Sequence, residues 1–197
     1  MMDVSGIKSV DLFGGAIVTK IPSSFIDGSV FRQTPDNQEV YVDLKEGSDL
    51  SLIIEILERE ACSDEESAIV HFNAIAYDND VPEGSMRVLS NELVSTETVP
   101  NLNSHVVYLL SGIQEAYKWG RKTVLPPGQT SIVVVIVAVI RLTAQATDLV
   151  ISLNVPVILQ TSSLTTIMKD SEIVCIALKK VEEVLKALTI QDYSLFS

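Results

Sequence analysis

Asp36 and Glu39 stand beside Asn37 and Gln38 in the stretch Arg32-Gln33-Thr34-Pro35-Asp36-Asn37-Gln38-Glu39-Val40-Tyr41. Two carboxylates flanked by amides supply negative charge, acceptors and donors at close spacing, which is the chemistry of recognition. Pro35 restricts its own φ and biases Thr34 away from helix, while Asp36-Asn37 favours a turn. Val40-Tyr41-Val42 then reads as a strand of branched and aromatic residues. The spacing therefore predicts a turn on a rigid strand that presents both carboxylates to solvent. On composition alone, a solvated hairpin approach explains the same residues.

The remaining reactive side chains do not assemble into a catalytic pattern. His71 lies in Ile69-Val70-His71-Phe72 and His105 at the start of an apolar run, each without a second ligand at zinc-site spacing. A structural or surface role is expected for each. Asp64-Glu65-Glu66 suits the positive end of a helix better than a metal. Asp78 and Asp80 lack the glycine and closing glutamate of a calcium loop. No GxSxG, GxxxxGK[ST] or strand-borne GxGxxG occurs. Lys118, Arg121 and Lys122 with Trp119 could touch nucleic acid, but a solvated turn with Trp119 folded inward is the expectation. No catalytic residue, metal or cofactor is expected. A ligand cavity between the long apolar strands is not distinguishable from a filled core by periodicity.

The chain has 197 residues, suited to a single domain spanning 1–197, and its 47% hydrophobic content supports a sizeable core. A formal charge of −12 argues against nucleic acid or an anionic membrane as partner and fits a basic protein surface. Cys62 and Cys175 form no CxxC pattern, so reduced thiols are expected. The first residues show no secretory signal pattern. The apolar run Ile132–Ile140 ends at Arg141 and is far short of the roughly 20 residues of a membrane helix, so it reads as a buried strand.

These elements must position the motif. Leu12–Val18 reads as an early strand with a bulge at Gly14-Gly15, and 22–32 as an irregular connection with a short turn of helix after Asp27. Strand follows at Glu39–Leu44. Leu50, Ile53, Ile54 and Leu57 fit helical spacing, with Ser48 as N-cap. Ser63-Asp64-Glu65-Glu66 is a capping box opening a helix that buries Ile69, Phe72 and Ala76. A short strand near Met86–Leu89 precedes Val106–Tyr117, a strand bent at Gly112. After a turn at Pro126-Pro127-Gly128, Thr130–Leu142 and Asp148–Val155 form a hairpin. Ser171–Leu188 is a helix with an apolar stripe of Val174, Ala177, Leu178, Val181, Leu185 and Leu188. The sum is an α+β fold: a mainly antiparallel sheet with helices on both faces, since the run at Ile132–Ile140 must be covered on both sides.

Beyond spacing, Phe13-Gly14-Gly15-Ala16, Ile21-Pro22, Phe25-Ile26-Asp27, Arg32 and Pro35-Asp36-Asn37-Gln38-Glu39-Val40 occur in order. They are followed by Arg141-Leu142, Thr147-Asp148-Leu149-Val150, Asn154, Pro156 and the terminal Asp192-Tyr193-Ser194-Leu195-Phe196. This series resembles the Mog family, the Ran guanine nucleotide release factors of nuclear import. The segments 78–104 and 157–170 carry no matching signature. The resemblance implies a PsbP-like fold with an antiparallel sheet of about six strands between helices. It implies binding to the GTPase Ran, release of its nucleotide, and work in the nucleus and also the cytoplasm. It places partner contact on Asp36 and Glu39, with Asn37, Gln38, Asp27 and Arg32 as neighbours, while Arg141, Asp148 and Asn154 could serve the hairpin instead. A monomer is the expectation. A Ran-binding transport adaptor without exchange activity, and a small-ligand carrier on the same fold, are the alternatives.

Overall fold

A computed structural model describes residues 6–45, 48–115, 126, 129–160 and 167–196. Its strands are β1 (Ile7–Leu12), β2 (Ile17–Pro22), β3 (Phe25–Asp27), β4 (Gln38–Asp43) and β5 (Ser51–Glu58). After helix α1 (Asp64–Asp78) come β6 (Met86–Leu93), β7 (Val106–Gln114), β8 (Thr130–Leu142) and β9 (Thr147–Leu159), then α2 (Glu172–Ala187) and β10 (Thr189–Ile190). Seven strands form one sheet in the order β3-β4-β5-β9-β8-β7-β6, with each neighbouring pair antiparallel. A smaller sheet has the order β1-β2-β10. The architecture is α+β, as the sequence predicts, with seven strands in the main sheet where about six were expected.

β8 explains the layering. Its side chains alternate between faces, and Ile132 through Ile140 are all buried. Val133, Val135, Val137 and Val139 meet Ala68 and Phe72 of α1 on one face. Ile132, Val134, Ile136, Ala138 and Ile140 meet Val174, Ala177, Val181 and Leu185 of α2 on the other. Each fully buried branched side chain contributes about 1.5–3 kcal/mol, so this doubly covered strand anchors the domain's core. The stripe on α2 also includes Val184, which the periodicity reading omitted, while Leu178 is only half-buried.

Two local expectations are overturned. The stretch from Leu50 to Leu57 is strand rather than helix: β5 pairs with β4 on one side and with β9 over its whole length on the other. The sequence Leu52-Ile53-Ile54-Glu55-Ile56-Leu57 satisfies both the helical and the alternating period, and two neighbouring strands decide between them. Ser48 is no helix cap; its hydroxyl donates to Asp43 Oδ2 at 2.8 Å and helps close the β4–β5 turn. Nor is Leu12–Val18 one bulged strand. Phe13, Gly14 and Gly15 have φ of 50°, 68° and 92°, a left-handed tract that reverses the chain between β1 and β2. Glycine is at home there and phenylalanine is strained.

Gly112 has a different purpose from the expected bend. β7 continues through it in unbroken register with β8, and a Cβ there would lie 2.5 Å from Phe72 Cε2. It lets α1 approach the sheet. The irregularity lies in the partner strand, where the β6 register shifts between Val88 and Ser90. The readings at 118–122 and at Pro127-Gly128 fall outside the described residues.

Candidate functional site

The β3–β4 connection carries the acidic motif and is tied down along its length. Asp27 ends β3 and accepts the Ser29 N–H at 2.7 Å, capping a single 3-10 turn over Gly28–Val30. The Gln38 N–H donates to Pro35 O at 3.0 Å and closes the turn that Pro35-Asp36-Asn37 predicts. Asn37 grips β5 twice: its carbonyl accepts from the Ile56 N–H at 3.0 Å, and its Nδ2 donates to Ile56 O at 3.1 Å. The Gln38 amide donates to Glu55 Oε1 at 2.5 Å. Asp36 and Arg32 project from this frame and are exposed.

Glu39 departs from expectation. Its carboxylate is not simply offered to solvent, because Oε1 accepts the Phe13 N–H at 2.6 Å. This bond joins the large sheet to the small one at the strained Phe13–Gly15 reversal. Glu39 thus has a structural duty that the sequence did not disclose, since its partner lies 26 positions away. Asp36, Asn37, Asp27 and Arg32 are exposed, while Gln38 and Glu39 are half-buried. The acids nevertheless act on their surroundings together. The Tyr41 phenol is pushed far above its ordinary range, first by burial and then by the charges of Glu39, Asp27 and Asp11.

The same end of the molecule receives the C-terminal segment. Gln191 and Asp192 donate their N–H groups to Ala16 O at 2.8 and 3.1 Å. Phe13–Ala16, Asp192, Ser194 and Leu195 line an open depression of about 370 Å3. A small-ligand carrier encloses its cargo, whereas this depression is open to solvent. Tyr193 places its hydroxyl 2.9 Å from His105 Nε2. Burial pushes the His105 pKa below its usual value.

Arg141, Asp148 and His71 form a buried polar cluster that spacing alone did not reveal. Asp148 Oδ2 lies 3.2 Å from Arg141 Nη1, 2.9 Å from His71 Nε2 and 3.1 Å from the Glu60 N–H that donates to it. Arg141 Nη2 also donates to Glu60 O and Cys62 O, both at 3.1 Å. Its Nε lies 3.3 Å from Asp64 Oδ1 at the start of α1. The capping box is formed as predicted, with Glu66 N–H donating to Ser63 Oγ and Glu66 Oε2 accepting from Ser63 N–H. Asp64-Glu65-Glu66 is therefore a helix start. Asn154 Nδ2 donates to Ser51 Oγ at 3.3 Å within the sheet. The residues that carry the resemblance separate into two sets: Arg141, Asp148 and Asn154 hold strands together, whereas Asp36 and Arg32 face outward.

Residues 10–156 match the family described as Ran-interacting Mog1 protein. The chain is 36% identical to the nuclear import protein mog1 of Schizosaccharomyces pombe, over 95% of this chain and 100% of that one. It is 32% identical to the Ran guanine nucleotide release factor of Danio rerio, over 94% and 97% of the two chains. The crystal structure of the Saccharomyces cerevisiae Ran-binding protein Mog1p superposes with a TM-score of 0.70 at 30% identity, covering 98% of this chain and 100% of that one. A cyanobacterial PsbP from Synechocystis shares the fold at a TM-score of 0.52 and 13% identity, over 96% and 95% of the two chains. The left-handed Phe13–Gly15 reversal, the Pro35-Asp36-Asn37 turn and the Arg141–Asp148 hairpin all lie within the matched span. This chain belongs to the Ran-interacting Mog1 protein family.

Proposed function

We propose that this chain binds the GTPase Ran through the β3–β4 connection and promotes release of Ran's guanine nucleotide, supporting nuclear import. It acts as one monomeric domain over 1–197, in the nucleus and also in the cytoplasm. Asp36 leads the contact, with Asp27, Asn37, Arg32, Gln38 and Glu39 around it. The observation that carries this reading is an exposed acid on a clamped turn in a chain of this family.

The mechanism needs no covalent chemistry and no cofactor. A GTPase holds its nucleotide through basic and backbone donors around the phosphates and a magnesium ion. An acidic turn docked beside them competes for those donors or displaces the segments that carry them. By linkage, whatever makes this chain prefer nucleotide-free Ran weakens nucleotide binding by the same factor. Because Asn37 and Gln38 hold the turn against β5, little ordering entropy is lost on docking.

The test is the release of a fluorescent guanine nucleotide from Ran, with and without this protein. Faster release that saturates with protein concentration supports the proposal. Saturable Ran binding with an unchanged release rate makes the chain an adaptor. Absence of binding overturns the reading.

A further inference from the structure

The β3–β4 connection carries two apolar side chains next to its acids: Val30 is 74% and Phe31 65% exposed. Single exposed apolar residues are ordinary on protein surfaces. This pair is unusual in how it is held. Of the chain's five phenylalanines, Phe25 and Phe72 are fully buried and Phe13 and Phe196 pack against the core. Phe31 alone faces solvent.

The turn beneath the pair is rigid. Asp27 caps it, and the N–H groups of Phe31 and Arg32 both converge on Gly28 O, at 2.9 and 3.3 Å. Gly28 lies flat against β4; a Cβ there would sit 3.0 Å from Val40 Cγ1 and 3.1 Å from Val40 O. The turn is therefore seated on the strand that also carries Glu39. A phenyl ring displayed on a prearranged turn loses little freedom on binding, and central aromatic residues are where interface energy concentrates. Exposed charges stand on both sides of the pair: Asp27, the last residue of β3, precedes it, and Arg32 and then Asp36 follow it.

We propose that Phe31, supported by Val30, is the apolar anchor of the Ran contact, entering an apolar depression on Ran whose rim is basic. This rests on the Ran-binding reading above and extends it. The acids align the approach and pair with the rim, while the ring supplies the desolvated centre. Charge complementarity selects this occupant: in a chain of net charge −12, Asp27 and Asp36 outnumber the single cation Arg32 around the ring's segment, and a predominantly acidic surround fits a recess edged by lysine or arginine.

The experiment is equilibrium titration of Ran with wild type, Phe31→Ala, Phe31→Leu and the control Tyr77→Ala, at low and high salt, with thermal midpoints. Tyr77 is 84% exposed on α1 and lies outside the connection. Phe31→Ala is expected to raise the Kd about tenfold or more at either salt concentration, since no charge changes. Phe31→Leu recovers most of the affinity, and the midpoints stay together. A Kd for Phe31→Ala within about twofold of wild type, or equal to that of Tyr77→Ala, overturns the anchor while leaving Ran binding intact. A midpoint that falls in step with affinity makes Phe31 a folding residue and overturns it too. A wild type that leaves Ran unbound overturns the function and the anchor together.

Discussion

Arg141 and Asp148 are direct cross-strand partners at the closed end of the β8–β9 hairpin, and both side chains are 0% exposed. Their 3.2 Å contact is the centre of a cluster that ties the hairpin to α1 through His71 and to the β5–α1 loop through Glu60 and Cys62. Buried ion pairs add little net stability, yet removing one partner leaves the other charge uncompensated. Asp64 also neighbours Arg141 but is partly exposed, so it compensates weakly. Asp148→Ala is expected to cost about 3–5 kcal/mol in urea unfolding. Adding Arg141→Met to it should recover part of that loss. A loss below about 1 kcal/mol for the single variant would mean the cluster does not hold the hairpin.

Glu55 gives a pH dependence with a definite sign. Burial raises its pKa above the usual glutamate value, against the opposing hydrogen bond from Gln38. The folded chain therefore holds this proton to higher pH than the unfolded chain does. Its contribution to stability is fully present below the unfolded value of 4.5 and is lost as pH rises through the raised folded value. Glu55→Gln keeps an oxygen for the Gln38 amide and removes the titration. Its thermal midpoint should exceed that of wild type at neutral pH and converge with it below about pH 4. A difference that stays constant across this window would contradict the assignment.

Gly112 is a steric requirement of the α1 interface. In Gly112→Ala the new methyl would sit 2.5 and 2.6 Å from Phe72 Cε2 and Cζ. Overpacking of this kind costs about 1–3 kcal/mol. Phe72→Leu narrows the obstruction, so the alanine should cost less in that background than alone. Equal costs in the two backgrounds would show that the strain lies elsewhere.

Long, locally encoded elements were legible. The unbroken run at Ile132–Ile140, the stripe of α2 and the Ser63–Glu66 capping box each carry a one-dimensional signature, and each is formed. β5 was misread because its apolar residues satisfy two periods at once, and only β4 and β9 decide between them. Gly14 and Gly15 signalled a special backbone, but a bulge and a reversal use the same residues. The partner assignment of the motif came from resemblance, whereas its turn came from Pro35 and Asp36-Asn37. Long-range polar pairing was invisible: Asp148 to His71 spans 77 positions and Glu39 to Phe13 spans 26. No periodicity encodes such pairs.

That last contact changes how the acidic motif is to be tested. Asp36 is exposed, so Asp36→Lys should leave stability within about 0.5 kcal/mol of wild type. In the proposed Ran contact, the loss of Asp36 together with the added repulsion should weaken affinity by about 2–5 kcal/mol, with the remaining affinity less sensitive to salt. Glu39→Lys is a poor probe, because it also removes the acceptor that holds Phe13 N–H at the left-handed reversal. Glu39→Gln retains an oxygen there and removes only the charge. It should keep its thermal midpoint and lose affinity, by less than Asp36→Lys since no repulsion is added. Glu183→Lys, on the exposed face of α2, controls for net charge. Equal losses for Asp36→Lys and Glu183→Lys would leave only a general charge effect. Full affinity in Asp36→Lys would remove the turn from the interface.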